Sequence, residues 1–344
     1  MAVPHVTTWF HRHGAAPAAA PDGLDALRAR AAAPAEAGLT VVLCTYRRPA
    51  SVRRFLASLA AQLPLPAALV VVDASPDDAT ERVAREGAAA LPARLLYLRV
   101  EGPLRGLTRQ RNFALEWVTT DAVAFFDDDV VLDAGCLAAM EAAFRAPGAP
   151  VAGVGAVVRN PEVGRGRLWR LRRALGIVDS LAPGRYVRSG FSTPWAFLPP
   201  TEAVVEGDWL PGCCMLWRTA LARELGFHAG LDGYAQGEDL EFSLRARRHG
   251  RLLVAGAARV LHLHEPAGRP DAFRLGYMAI HNRYQIHRRG LPDRRWRDVA
   301  WFTYAWTLDT LLLVARLVVP RHAAATVKEM AGRMRAAYDL LLER

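Results

Sequence analysis

Four short apolar runs stand out in the first third of the chain: LTVVLCTY (39–46), AALVVVDA (67–74), RLLYLRV (94–100) and AVAFFDDD (122–129), each ending in polar groups. Runs of this length predict buried strands. Between the first two, Val52, Phe55, Leu56, Leu59 and Leu63 follow helical spacing; between the third and fourth, LTRQRNFALEW predicts a helix presenting Leu107, Ala114 and Leu115. Strands alternating with helices make βαβ units, and hence a parallel sheet with right-handed crossovers. Ligands of such sheets bind beyond the carboxyl ends of the strands. Thr45, Asp73 and the triplet Asp127, Asp128, Asp129 fall there.

The pattern loosens after residue 150. VAGVGAVV and DWLPGCCMLW predict further strands, EDLEFSLRARRHG a helix ended by Gly250, and RVLHLH a last short strand. From Pro270 onwards the sequence is helical in pattern, including the apolar segment AWFTYAWTLDTLLLVARLVV (300–319). The Ala/Pro-rich residues 1–37 bury little and predict an extension. The expected organisation is that extension, an α/β domain over 38–265 divided at about residue 130, and a helical, basic, amphipathic region over 266–344.

At 344 residues and 52% hydrophobic content the chain can bury one large domain with appendages, or two. A net charge of +10 calls for an anionic partner: nucleic acid, an anionic membrane surface or a phosphorylated substrate. Residues 265–344 hold 14 Lys+Arg against 8 Asp+Glu, so most of the excess lies in the tail. Cys44, Cys136, Cys213 and Cys214 include no CxxC pair, which argues against a zinc site or a disulfide framework and for small buried apolar residues. The first residues lack the basic start and apolar core of a secretory signal, so a cytoplasmic protein is expected.

The triplet in FFDDDVV raises the chemical question, because adjacent carboxylates repel one another. Asp127 and Asp129 stand at i and i+2, so along an extended backbone they point the same way, as two oxygen ligands for a hard cation such as Mg²⁺ or Mn²⁺ would. Such a cation would remove the repulsion and hold a diphosphate. Upstream, Arg109, Arg111 and Asn112 lie near the start of a helix leading into the same strand, where a phosphate is favoured.

These pieces, from about Leu39 to His264, resemble in order the family 2 glycosyltransferases of GT-A fold: VVLCTYRRP, VVDASPDDAT, G-x-x-x-x-R-N, FFDDDV, LPGCCMLWR, GEDLEFSLRARRHG and VLHLH. The resemblance implies a Rossmann-like, mostly parallel sheet flanked by helices, and inverting transfer of a sugar from a UDP- or dTDP-sugar to a carbohydrate or lipid-linked hydroxyl, assisted by Mn²⁺ or Mg²⁺. It places Thr45, Tyr46, Arg48, Asp73, Arg111, Asn112, Asp127 and Asp128 around the nucleotide sugar, with Thr45 and Asp73 at the nucleoside and Asp127 facing the ribose. Asp129 would hold the metal, together with Asp127 and with His262 or His264. The triplet leaves open whether Asp128 shares that role. Asp239 would be the catalytic base, and Glu238 would position donor or acceptor. One departure is DASPDD, where many relatives carry a Gly before the Ser. YMAIHNRYQIHRRG resembles the segment that follows the catalytic domain in rhamnosyl- and galactofuranosyl-type members.

Two other classes compete. A sugar-nucleotide pyrophosphorylase would carry a Gly-rich basic loop after its first strand, and TYRRPAS has no Gly. A nucleic-acid-binding protein would interleave aromatic and basic residues on one surface, whereas these strands end in carboxylates; no nucleic-acid partner is expected. The 300–319 segment is nearly long enough to cross a bilayer, but Asp309 lies in its middle and Arg316 near one end. Its aromatic residues and the basic stretches beside it suit peripheral contact with an anionic membrane. Packing on the catalytic domain or in a homodimer is the alternative.

Overall fold

Every apolar run in the first third of the chain forms a strand of one sheet. The computed structural model describes residues 7–12, 18–19, 35–88, 91, 94–160, 167–231, 233–265, 269–318 and 320–342. The chain divides into two compact units, Met1–Asn160 with Pro200–Gly268, and Pro161–Pro199 with Arg269–Arg344.

Among the described residues the first unit holds eleven strands: β1 (Thr7–Arg12), β2 (Ala18–Ala19), β3 (Glu36–Thr45), β4 (Ala68–Asp73), β5 (Arg94–Arg99), β6 (Thr120–Asp127), β7 (Val130–Leu132), β8 (Val151–Val158), β9 (Val204–Gly207), β10 (Cys214–Arg218) and β11 (Arg251–His262). Their order is β2-β1-β5-β4-β3-β6-β10-β8-β11-β7, with β9 also paired to β11. The four predicted strands form a parallel centre, β5-β4-β3-β6. β10 runs antiparallel between β6 and β8. The last strand starts well before RVLHLH, at Arg251, because its first half pairs with both β8 and β9. At the other edge, β1 pairs antiparallel with β5, within residues whose composition predicted only an extension.

Register gathers the polar ends. Thr45 lies opposite Asp73 and Cys44 opposite Asp127, so the carboxyl ends of β4, β3 and β6 are level. His262 lies opposite Val130, which brings the end of β11 beside the aspartate turn. Val41, Val42, Leu43, Val71, Phe125 and Phe126 are at most 1% exposed, and burying a side chain of this size contributes about 1.5–3 kcal/mol. All four cysteines are buried and free.

Helices cover the sheet. α1 (Pro49–Ala60) starts with proline at its first turn and buries Val52, Phe55, Leu56 and Leu59. Leu63 of the predicted apolar stripe lies past its end and is 80% exposed; it precedes Pro64, and a residue before proline is driven out of the helical region. The other helices of this unit are α2 (Ala79–Gly87), α3 (Leu107–Leu115), α4 (Cys136–Phe144), α6 (Thr219–Leu225) and α7 (Glu238–Ala246).

The second unit contains α5 (Arg167–Ala174), α8 (Ala272–Gly290), α9 (Trp296–Leu312) and α10 (Pro320–Leu342). Its core includes Ile177, Val187, Phe191, Phe302 and Trp306, with the Phe191 and Trp306 rings stacked 4.2 Å apart. Within the 300–319 segment the α-helix ends at Leu312 and a 3₁₀ stretch follows over Leu313–Val318. Asp309, in mid-segment, is buried between two guanidiniums, Arg172 at 2.6 Å and Arg333 at 3.1 Å. Among the described residues no helix is long and apolar enough to cross a membrane.

Candidate active site

Asp127 ends β6, Asp129 precedes β7, and His262 ends β11. Their ligand atoms all lie within 4.8 Å of one another. His262 Nε2 is 2.9 Å from Asp129 Oδ1 and 4.0 Å from Asp127 Oδ2. Two carboxylate oxygens and one imidazole nitrogen converging in this way fit a divalent cation such as Mn²⁺. Asp128 turns the other way, accepting hydrogen bonds from Thr45 Oγ1 (2.7 Å) and Arg48 Nη1 (2.9 Å). The repulsion within the triplet is therefore met partly by the protein, since each carboxylate has its own cationic neighbour: Arg111 for Asp127, Arg48 for Asp128, and His262 for Asp129.

These pairings set the protonation states. Burial works against an ionised Asp129, but the His262 ring, the Glu265 amide and Arg48 outweigh it and bring the carboxyl down to about 2. Burial likewise disfavours charge on His262, yet the Asp129 carboxylate and Cys213 push it up to about 10. Asp128 is lifted by burial to about 6, against Arg48 and Thr45. Asp127 is also raised by burial, with Arg111 opposing.

Arg111 is the hub of the site. It is 1% exposed on α3, and its guanidinium donates to Glu238 Oε1 (2.6 Å), Asp127 Oδ1 (3.0 Å) and the Gly212 carbonyl (2.9 Å). Burial pushes Glu238 up to about 8, with Arg111 pulling the other way. Glu238 Oε2 is buried and has no hydrogen-bond partner among the described residues.

Glu238 and Asp239 open α7, where Glu238, Asp239 and Glu241 form an acidic first turn that suits the positive end of the helix dipole. Asp239 is half-buried, and its Oδ2 accepts from the Gly212 amide at 3.0 Å. A Cβ on Gly212 would lie 2.8 Å from Asp239 Cβ and 2.9 Å from Glu238 Oε1, so only glycine allows this approach. Neither acidic side chain caps the helix across its first turn; Asp239 Oδ1 accepts only from the adjacent Leu240 amide.

The other predicted residues lie around this centre. Thr45 is buried against Asp128, and Tyr46 at the end of β3 accepts a hydrogen bond from Arg105 at 3.0 Å. Asp73 is fully buried, its oxygens taken by the Tyr97 hydroxyl (2.5 Å) and the Ser75 amide (2.8 Å). Asn112 turns away from the carboxylates and pairs twice with the Phe227 backbone. His264 is exposed, its ring centroid 4.1 Å from that of His262, and it stands outside the three-residue cluster. Arg109 donates to the Pro103 carbonyl at 3.5 Å. Sequence reasoning missed Gly212, Gln110 and Tyr97. Gln110 ties the ends of β3 and β4 together through the carbonyls of Thr45 and Val72. The PG step before β10 was the one local signal for Gly212.

Residues 40–201 match the family model described as Glycosyl transferase family 2. No curated protein sequence matches the chain. Among solved structures, the mannosyltransferase PcManGT from Pyrobaculum calidifontis, in complex with GDP-Man and Mn²⁺, is 16% identical with a TM-score of 0.53, over 89% of this chain and 90% of that one. TarS 1-349 of S. aureus is 16% identical with a TM-score of 0.50, over 89% and 92%. GalNAc-T7 with UDP, GalNAc and Mn²⁺ is 16% identical with a TM-score of 0.50, over 67% of this chain. This chain spans 44% of that GalNAc-T7 chain and 34% of a longer S. aureus TarS chain. Residues 40–201 thus match a glycosyl transferase family 2 domain, and the chain shares the GT-A fold of these solved structures.

Proposed function

We propose that the protein transfers a sugar from a UDP- or dTDP-sugar to a hydroxyl of a carbohydrate or lipid-linked acceptor, with inversion, using residues 38–265 as the catalytic domain. The observation that carries this reading is the convergence of Asp127, Asp129 and His262 within 4.8 Å, with Glu238 and Asp239 linked to them through Arg111 and Gly212. In a single displacement the acceptor oxygen bonds to the anomeric carbon. The bond from that carbon to the diphosphate oxygen breaks, and its electron pair leaves with the diphosphate. The Asp239 carboxylate takes the acceptor proton. Asp239 suits this role because it is partly exposed, whereas Glu238 is buried. The unpaired Oε2 of Glu238 accepts from a sugar hydroxyl and so orients donor or acceptor.

Asp127, Asp129 and His262 would hold a divalent cation, which would supply positive charge to the departing diphosphate. Mn²⁺ accompanies the nucleotide in both PcManGT and GalNAc-T7, and an imidazole in the ligand set favours Mn²⁺ over Mg²⁺. Thr45, Tyr46, Arg48 and Asp73 line the strand ends on the nucleotide side. The test is a donor screen with Mn²⁺ or Mg²⁺ against UDP-, GDP- and dTDP-sugars, including the rhamnosyl and galactofuranosyl donors suggested by YMAIHNRYQIH, scored by slow hydrolysis and thermal stabilisation. Metal-dependent turnover of a UDP- or dTDP-sugar is expected; turnover of GDP-sugars alone overturns the donor assignment.

The second unit supports peripheral contact with an anionic membrane, which would place a cytoplasmic enzyme at the inner face. On α5, Trp169 and Arg172 are partly covered, while Leu168, Leu171, Arg167, Arg170 and Arg173 are exposed and no acidic residue interrupts them. Leucines among arginines suit the headgroup boundary of anionic lipid. The protein should float with anionic liposomes, and a Leu168→Glu/Leu171→Glu variant should not. Equal recovery of the two, or a dimer in sedimentation with no flotation, removes the membrane role.

A further inference from the structure

The chain beyond β11 is tied to the first turns of α1 through Glu265. Arg54 of α1 forms an ion pair with the carboxylate of Glu265, 211 positions further along, and also donates to Ser51 Oγ at 3.1 Å. Arg48, at the start of the same helix, donates to the Glu265 carbonyl at 3.3 Å. The Glu265 amide in turn donates to Asp129 Oδ2 at 2.9 Å, and the Leu263 amide to the Asp129 carbonyl at 2.9 Å. With Oδ2 fixed by an amide, the carboxylate cannot rotate freely, and Oδ1 is left facing His262 Nε2 at 2.9 Å.

This segment needs an anchor at both ends. His264 has φ +54, in the left-handed region, where a non-glycine residue is disfavoured by roughly 1–2 kcal/mol. On one side of it, pairing of His262 with Val130 fixes the strand. On the other, Glu265 is held by contacts with Arg48, Arg54 and Asp129 among others.

We propose that the Arg54–Glu265 ion pair is a positioning latch: it holds residues 263–265 against the aspartate turn so that Asp129 presents Oδ1 to the cation beside Asp127 and His262. Neither residue belongs to the Asp127, Asp129 and His262 cluster. The proposal rests on the metal reading given above, and partners one layer behind a metal ligand typically change metal affinity by about 10–100-fold. Arg54 acts one step further out, so an effect of about 5- to 10-fold is expected.

The test uses the full chain with Arg54→Ala, Glu265→Gln, Arg54→Lys and the exchange Arg54→Glu/Glu265→Arg. Mn²⁺ is titrated with and without UDP, and hydrogen exchange of the Leu263 and Glu265 amides is measured without metal. Arg54→Ala and Glu265→Gln should bind Mn²⁺ about 5- to 10-fold more weakly and exchange both amides faster, with melting temperatures close to wild type. Arg54→Lys and the exchanged pair should recover most of the loss, which a merely structural role would not produce. Wild-type Mn²⁺ affinity and unchanged amide exchange in both single variants overturn the latch. A wild type that binds no Mn²⁺ under either condition overturns the metal reading, and amide exchange then judges the latch by itself.

Discussion

Replacing Arg111 with methionine removes the one cation that Glu238 and Asp127 share, while keeping an unbranched side chain to fill the space. The guanidinium is 1% exposed and makes three bonds of 2.6–3.0 Å, two of them to carboxylates. Deleting one partner of a buried pair leaves an uncompensated charge and costs about 3–5 kcal/mol. For a unit of this size that lowers the melting temperature by roughly 6–20 °C. The deficit depends on pH, and its sign follows from Glu238, which burial already pushes up to about 8. Without Arg111 it rises further, so the folded state holds a proton that the unfolded state releases above about pH 4.3. Stability then falls as pH rises, and the variant should lose more relative to wild type at pH 8 than at pH 5. Thermal melts by circular dichroism at both pH values measure this, with Arg111→Met/Glu238→Gln as the control that recovers part of the loss. An Arg111→Met protein within about 1 kcal/mol of wild type at pH 8 would refute the view of Arg111 as a buried hub.

Asp129→Ala should abolish metal-dependent nucleotide binding in calorimetry with the fold retained, at some cost in melting temperature because His262 and Arg48 lose a partner; undiminished metal dependence would sink the assignment. In the second unit, Asp309→Leu should cost about 3–5 kcal/mol, because Arg172 and Arg333 are left facing each other; hydrogen exchange in α9 and α10 would report it, and unchanged protection would count against the network. Asp298 is held below its ordinary range chiefly by the Arg188 guanidinium, at 2.7 Å. Its contribution is present above about pH 4 and lost as pH falls through the depressed value, so Asp298→Asn should flatten the acid limb of the stability curve, and an unaltered limb would contradict the pairing.

The parallel centre of the sheet was legible because fully buried strands leave continuous apolar runs, and the carboxylates ending them marked the strand ends that the register brings level. The i, i+2 spacing of Asp127 and Asp129 and the alternation in VLHLH were enough to anticipate the convergence of Asp127, Asp129 and His262, since strand geometry decides which side chains share a face. Arg111 lies on the helix the sequence predicted, but its pairing as a buried hub was hidden: an arginine in a polar helix normally marks a solvated face, and its partners lie 16, 101 and 127 positions away. The same holds for Arg54 with Glu265 and for Asp309 between Arg172 and Arg333. Such pairings are made by strand order and loop closure, which leave no periodic trace. β1 escaped notice because its flanking Ala/Pro composition dominates the window.

Whether Asp239 takes the acceptor proton in a displacement at the anomeric carbon is decided by the kcat of Asp239→Asn at saturating Mn²⁺ and the donor identified by the screen, with donor affinity measured on the same protein. A loss of about 10²- to 10⁴-fold in kcat, with donor affinity and melting temperature nearly unchanged, is predicted. Turnover within a few-fold of wild type, accompanied by a stability loss of about 1 kcal/mol, would make Asp239 a helix-end residue and contradict the account.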